Sequence, residues 1–287
     1  MLEELNDLSR KDLIKILAVV VLSDGYMYKD RCLKLFTSSK SDCQHEFFSD
    51  LCYNLFSKKP RKYHVKFDRD GSIEKYLQST FRSREAIAEL LKLNKSYKTT
   101  CGKLKKEEFL KLPQPDISFL LSSCPRIKWL AFRTWFDFDG SISPFFKLRK
   151  KRDIKNGKNY DYFQVQFVCT VRIAETNPSL VAQLVRLTDS LGLNAIIEKK
   201  NNWSGIDGIC ISRMRDVGKF VSFGPMTDIL VSRKSNRFEG IKKKVICLAV
   251  KKILEDNSIL KSKYFKNREQ AMAYKNQMDK ILLSLVK

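Results

Sequence analysis

Two stretches of the chain end alike, and their spacing limits what the rest can fold into. Leu17-Ala18-Val19-Val20-Val21-Leu22-Ser23-Asp24-Gly25 and Phe132-Arg133-Thr134-Trp135-Phe136-Asp137-Phe138-Asp139-Gly140 are each an apolar run closing on Asp-Gly. Each is followed by a segment rich in aromatic and basic residues. The two aspartates stand 115 positions apart (139 − 24), the size of one small domain. The pattern predicts a duplicated unit with one acid from each copy. Val19 to Val21 carry strand propensity. The length of the apolar pattern, the Asp-Gly stop and Pro125 ahead of the second run favour helices instead. Apolar almost all round, both helices are expected to be buried between other elements.

The flanking segments repeat one order. After the first helix come strand-like pieces at Tyr26 to Lys29 and Cys32 to Ser38, then a helix from Ser41 to Ser57. Lys62 to Asp68 alternates, with Tyr63, Val65 and Phe67 on one face and Lys62, His64 and Lys66 on the other. Asp70-Gly71 reads as a hairpin turn, Ser72 to Phe81 returns, and Ser83 caps a helix to Leu93. In the second half the helix Ile127 to Asp139 precedes strands Ser141 to Arg152 and Tyr160 to Arg172. A helix Pro178 to Leu191, a hairpin Ala195 to Lys200 with Gly208 to Ser212, and a helix Arg213 to Phe223 complete it. The order is helix, two strands, helix, two strands, helix, twice. The expected fold is α+β, two pseudo-symmetric αββαββα units over 1–100 and 125–255. A Lys-rich linker, 101–124, joins them; Asn236 to Lys287 reads as two further helices, with 256–287 as a C-terminal helical appendage.

Charge narrows the partners. Lys and Arg number 55 against 32 Asp and Glu in 287 residues, a formal net charge of +23. The excess runs along the whole length, which suits a polyanion better than a local targeting signal. No apolar run reaches transmembrane length, and the N-terminus has no signal core. The expectation is a cytoplasmic protein, or an organellar one in a eukaryote, with no membrane partner. The eight cysteines show no C-x-x-C pair, and the two histidines are His45 and His64. A structural zinc site or a His-centred triad is therefore not expected.

Asp24 and Asp139 at neighbouring helix C-termini would repel each other and the helix dipoles. The arrangement calls for a cation. Hard oxygen ligands at an open site suit Mg²⁺ or Mn²⁺ shared with phosphate oxygens, with a metal-activated water as the nucleophile on a phosphodiester. Asp137 reads as a helix-end cap or a supporting acid.

The two motifs resemble those of LAGLIDADG homing endonucleases of the monomeric two-motif type. Leu17-Ala18 and Asp24-Gly25 match the first motif, and Arg133, Phe136, Asp137, Asp139 and Gly140 the second. Val19 and Thr134 stand where that family usually has glycine, Phe138 where it has alanine, and Leu22 replaces an inner acid. The resemblance implies two saddle-shaped antiparallel sheets on double-stranded DNA and a site-specific, metal-dependent double-strand break by Asp24 and Asp139. It also implies a basic residue at each metal-site edge. By position these are Lys103 and Lys234, with Lys98, Lys105 and Arg233 as competitors. Lys29, Lys34, Lys66, Lys147, Arg149, Lys151, Gln164, Gln166, Arg172 and Lys199 are the strand residues expected to contact bases and phosphates. An ordinary solvated sheet face is their bland alternative. Trp203, on a polar turn, either reaches the nucleic acid or anchors the turn. Other readings on the same fold are an intron maturase binding RNA and a non-cleaving DNA-binding regulator.

Overall fold

The computed structural model describes residues 3–28, 31–38, 42–69, 72–155, 158–231 and 236–286. A short helix α1 (Glu3–Asn6) leads into α2 (Arg10–Leu22). Ser9 caps α2 by accepting from the Asp12 amide. Every residue from Ile16 to Leu22 is buried, because α2 packs against helices on several sides. Next come β1 (Gly25–Tyr28), β2 (Cys32–Ser38), α3 (Asp42–Phe56), β3 (Arg61–Arg69), β4 (Ser72–Phe81) and α4 (Arg84–Leu93). The linker holds two short helices, α5 (Lys106–Leu110) and α6 (Ser118–Leu121).

The second half repeats the order with α7 (Pro125–Asp139), β5 (Gly140–Lys155), β6 (Lys158–Ala174), α8 (Pro178–Ser190), β7 (Ala195–Lys199), β8 (Ile206–Ile211) and α9 (Met214–Phe223). The architecture is α+β, two αββαββα units, each with an antiparallel sheet. The strand orders correspond, β1-β2-β4-β3 and β5-β6-β8-β7. The hairpin lengths are exchanged between halves: β3–β4 is the long hairpin in the first, β5–β6 in the second. β5 and β6 outrun the expected ends at Arg152 and Tyr160, pairing from Gly140↔Ile173 to Lys155↔Lys158. Backbone pairing continues there through a basic stretch that carries no hydrophobic alternation.

α2 and α7 pack side by side. Val19 and Thr134, in place of small residues, are both fully buried. The Thr134 hydroxyl turns back on its own helix, donating to the Leu130 carbonyl at 2.8 Å, so it brings no unpaired polar group into the interface. Arg133 is buried as well, pairs with Glu4 of α1, and donates to the carbonyls of Gly224 (2.8 Å) and Pro225 (3.2 Å). The motif arginine thus ties the N-terminal helix to the second half.

The C-terminal segment contains α10 (Lys243–Glu255), α11 (Asn257–Leu260), β9 (Lys263–Phe265) and α12 (Arg268–Ser284). Two helices were expected; β9 escapes the pattern because three residues carry too little alternation to register. α10 packs on α9 and β5, and α12 on β5 and β6. Among the described residues no helix is long and apolar enough to cross a membrane.

Each motif glycine follows from close backbone approach, because a strand starts at once. A Cβ on Gly25 would lie 2.7 Å from Val21 Cα and 2.8 Å from Val20 O. On Gly140 it would lie 2.4 Å from Phe136 O and 2.6 Å from Phe136 Cα. Gly218, inside α9, meets only Leu254 Cδ1 at 3.4 Å. Gly140→Ala should therefore destabilise by about 2 kcal/mol or more through overpacking. Gly218→Ala should be neutral or stabilise by about 0.5 kcal/mol. Urea unfolding of the two variants checks the contrast.

Candidate active site and nucleic-acid interface

Asp24 lies two residues beyond the end of α2, and Asp139 is the last residue of α7. Ser23 closes α2 with its amide and hydroxyl on the Val19 carbonyl. The Asp24 carbonyl accepts from the Phe36 amide at 3.3 Å, which fixes the acid between helix and sheet. Asp24 and Asp139 line one cavity of about 550 Å³ with Gln44, Arg172, Asn236 and Lys243.

Register shows how the sheets reach this cavity. In the first sheet Lys34 pairs with Tyr26 and Thr80, and Phe36 with Gln78. Thr80 faces Arg61, Gln78 faces Tyr63 and Tyr76 faces Val65. These residues share the face turned away from the helices, since Leu33 and Leu35 alternate with them into the core. In the second sheet Ser141, Ser143, Lys147, Arg149 and Lys151 pair with Arg172, Thr170, Gln166, Gln164 and Tyr162. Their alternates Val165, Phe167, Cys169 and Val171 are buried. The cavity is lined by Phe36 and Tyr76 from the first open face and by Ser141, Ser143 and Arg172 from the second. Both open faces therefore converge on the two acids.

The strand residues singled out in the sequence sort accordingly. Lys34, Lys147, Arg149, Lys151, Gln164, Gln166 and Arg172 lie on the open faces. Lys34 is held over the Tyr28 ring at 4.5 Å. Arg172 is paired with Glu198, so its charge is already partnered. The register removes Lys66 from this set. It pairs with Lys75, one residue out of phase with Tyr63 and Val65, and so shares the helix-side face with Lys62, which reaches Asp42 of α3. Arg61, on the open face, was not singled out. Lys199 follows a β-bulge between Glu198 and Lys199 and is exposed. Lys29 lies outside the described residues. Trp203 donates to Thr176 Oγ1 at 3.3 Å and packs edge-on against Phe109 of α5 at 5.4 Å, which makes it a turn anchor.

The lysine set against the acids is Lys243, the first residue of α10. Its ammonium is buried and donates to the carbonyls of Phe136 (3.0 Å), Asp137 (3.1 Å) and Gly140 (2.6 Å). It caps the C-terminus of α7, where a cation opposes the helix dipole. Lys103 stands in an exposed turn and does not line the cavity, and Lys234 and Arg233 lie outside the described residues. Lys243 was missed because it sits in a run of three lysines, Lys242 to Lys244, and only the helix phase shows which one turns inward.

Desolvation dominates the electrostatics. It pushes Asp24 up to about 7, against the pull of Lys243 and a hydrogen bond from Gln44 Nε2 at 3.3 Å. Asp139 is held well above the usual carboxylate range by burial and by the charges of Asp24 and Glu175. Asp137, fully buried, is raised to about 7 by desolvation although its carboxylate accepts from the amides of Met226 (3.2 Å) and Thr227 (2.7 Å). It braces the loop after α9 and does not line the cavity. Burial also raises Glu175 to about 7, against two amide bonds. Lys243 is lowered by its own burial and held up by Asp137, Asp24 and Asp139.

Lys243 and Arg172, the latter paired with Glu198, are the cations that line the cavity with Asp24 and Asp139. Two opposed carboxylates at an open cavity are a donor set that fits a hard divalent cation, with water and phosphate oxygens completing it. Among the described residues no cluster of three or more His, Cys, Asp and Glu could hold a metal alone. A cation here would be shared with a bound ligand.

His45 was also missed. It is buried between Thr37 Oγ1 (2.8 Å) and Ser79 Oγ (2.7 Å) and is pushed down to about 4, chiefly by burial. It pins α3 to β2 and β4, and so places the adjacent Gln44, which also donates to the Asp137 carbonyl across the two halves.

No protein-family profile and no curated protein sequence matches the chain. Solved structures do show similarity. A structure of mesophilic variants of the homing endonuclease I-DmoI is 15% identical, with TM-score 0.43 over 75% of this chain and 89% of that one. I-DmoI in complex with DNA and Mn is 14% identical, with TM-score 0.41 over 75% and 96%. The homing endonuclease I-WcaI bound to its DNA recognition sequence is 15% identical, with TM-score 0.38 over 70% and 75%. These are likenesses of overall fold.

The carboxyl shifts fix a sign. A carboxyl whose folded pKa lies above its unfolded value is deprotonated at a cost to the fold, so stability falls as pH rises from about 4 towards about 7. His45 works the other way between about 4 and 6.5, so the acids are read as a difference. In chelator, Asp139→Asn should gain stability relative to the parent by at least about 1 kcal/mol between about pH 5 and about pH 8. Mg²⁺ should then stabilise the parent more than the variant. Thermal melts with and without metal measure both. Lys243→Met, which strands the acids without their ammonium, should destabilise by about 3 kcal/mol, read from urea titration.

Proposed function

We propose that the chain is a divalent-metal-dependent endonuclease that makes a double-strand break at a long, asymmetric site in duplex DNA, in the manner of a LAGLIDADG homing endonuclease. The observation that carries this reading is the convergence of two open sheet faces on one cavity holding Asp24 and Asp139. A sheet face bearing Lys147, Arg149, Lys151, Gln164 and Gln166 has the donors for phosphates and base edges. The first sheet, with Lys34, Arg61 and tyrosines, offers a second and different face. Two unlike faces suit an asymmetric target.

Asp24 and Asp139 are the residues that would hold Mg²⁺ or Mn²⁺, which supplies Lewis-acid polarisation of a phosphodiester oxygen when bound. Gln44 orients Asp24, and Asp137 and Lys243 fix the end of α7 that carries Asp139. Lys243 also supplies positive charge beside the phosphate without leaving its carbonyl partners.

The test is incubation with a plasmid library and Mg²⁺ or Mn²⁺, followed by sequencing of cut ends. Cleavage should recur at one long site and stop in chelator. Asp24→Asn and Asp139→Asn should each lower double-strand cutting by about a hundredfold or more while binding persists. Full cutting by either variant would remove that aspartate from the centre.

A further inference from the structure

β9 is joined to the second sheet at one place. It pairs with β6 through Val165↔Lys263, Gln164↔Tyr264 and Phe163↔Phe265. β8 covers β6 only from Val171 to Ala174, so β9 fills part of the edge that β8 leaves. Register puts Tyr264 on the open face beside Gln164, in a cross-strand row with Arg149. Gln164 Nε2 donates to Ser262 Oγ at 3.1 Å. The Tyr264 ring is 62% exposed and lies 5.8 Å from Tyr162. Phe265 turns to the other side against Tyr274 of α12 at 5.3 Å, and the buried Ala271, Met278 and Leu282 seat α12 on the sheet. Residues 261–268 read Lys-Ser-Lys-Tyr-Phe-Lys-Asn-Arg. All four cations are exposed, the stretch has no acid, and none of the four pairs with an acid among the described residues.

We infer that this C-terminal strand is an added edge of the nucleic-acid face, with Tyr264 and, just past the strand end, Lys266 contacting the phosphate backbone of a DNA duplex that lies on β5 and β6. Lys263, paired with the buried Val165, shares the opposite face with Phe265. The inference rests on the DNA-binding reading above. Geometry assigns phosphates and not bases. A major groove about 12 Å wide admits a two-stranded ribbon, which β5 and β6 already form. A third strand, about 4.8 Å further out, falls at the groove wall, where the phosphates run. The Ser262 bond at the same time holds the Gln164 amide in one orientation, so the strand positions a base-reading side chain while it contacts the backbone.

The experiment uses the full chain and fluorescence anisotropy on two probes, a random-sequence DNA duplex and the target recovered by the cleavage screen. Affinity is followed across a salt series for the parent, for Tyr264→Ala and for Lys266→Gln. Lys266→Gln should lower the slope of log affinity against log salt by about 0.9, for one phosphate no longer neutralised. Tyr264→Ala should weaken binding to both probes by the same factor. Melting temperatures should not move, since these side chains are exposed. Unchanged slope and affinity would overturn the inference while leaving the parent's DNA binding intact. A loss confined to the target probe would also overturn it, by assigning the strand to base reading. A parent that shows no salt-dependent DNA binding would sink the DNA reading and this inference together.

Discussion

The Lys243 ammonium directs its three protons at the carbonyls of Phe136, Asp137 and Gly140, and much of the centre depends on that contact. A buried ammonium is costly unless hydrogen-bonded and paired; here three carbonyls and the field of several carboxylates meet it. The same contact sets the end of α7, the turn at Gly140 and the first residues of β5. Because Lys243 opens α10, the helix that follows the second unit is part of the centre. The C-terminal region is thereby built into the fold around the acids.

The two halves reach the cavity by unlike means. Gln44 supplies a neutral amide beside Asp24 in the first, where Glu175 adds an acid near Asp139 in the second. His45 stands behind Gln44 and, pushed down to about 4, is neutral at ordinary pH. Like charge therefore opposes ionisation of the Asp24–Asp139 pair as a whole, and Glu175 adds to it on the Asp139 side. Exchanged hairpin lengths extend the contrast to the open faces. A duplicated fold has kept its strand order while its chemistry and its reach have diverged.

The helices and strands were legible because burial writes a period into the chain. The Phe163-Val165-Phe167 alternation marks β6, and Ser83 caps its helix where local hydrogen bonding requires it. Asp24 and Asp139 were legible because an apolar run rarely ends on the same dipeptide twice at domain spacing. Lys243 was not, since one inward lysine among three is distinguished only by helix phase against a distant element. His45 and Gln44 were hidden for a related reason: their partners come from other strands and from the other half. β9 was hidden because three residues hold no periodic signal, and Lys66 was misplaced because alternation separates two faces without saying which of them is open.

The tight join of helix to strand at Asp139-Gly140 acts as a length gauge. An α-helix turns about 100° and rises 1.5 Å with each residue. The helix body is fixed by its buried side chains and the strand by its ladder to β6. With no slack between them, gain or loss of one residue inside α7 would swing the carboxylate about a quarter of the way round the axis. No loop is present to absorb the change; at the first motif Ser23 and Asp24 stand between the end of α2 and β1, so that join has two residues of turn. Point changes around these helices are a matter of packing, whereas a change of length by one residue separates the two acids outright.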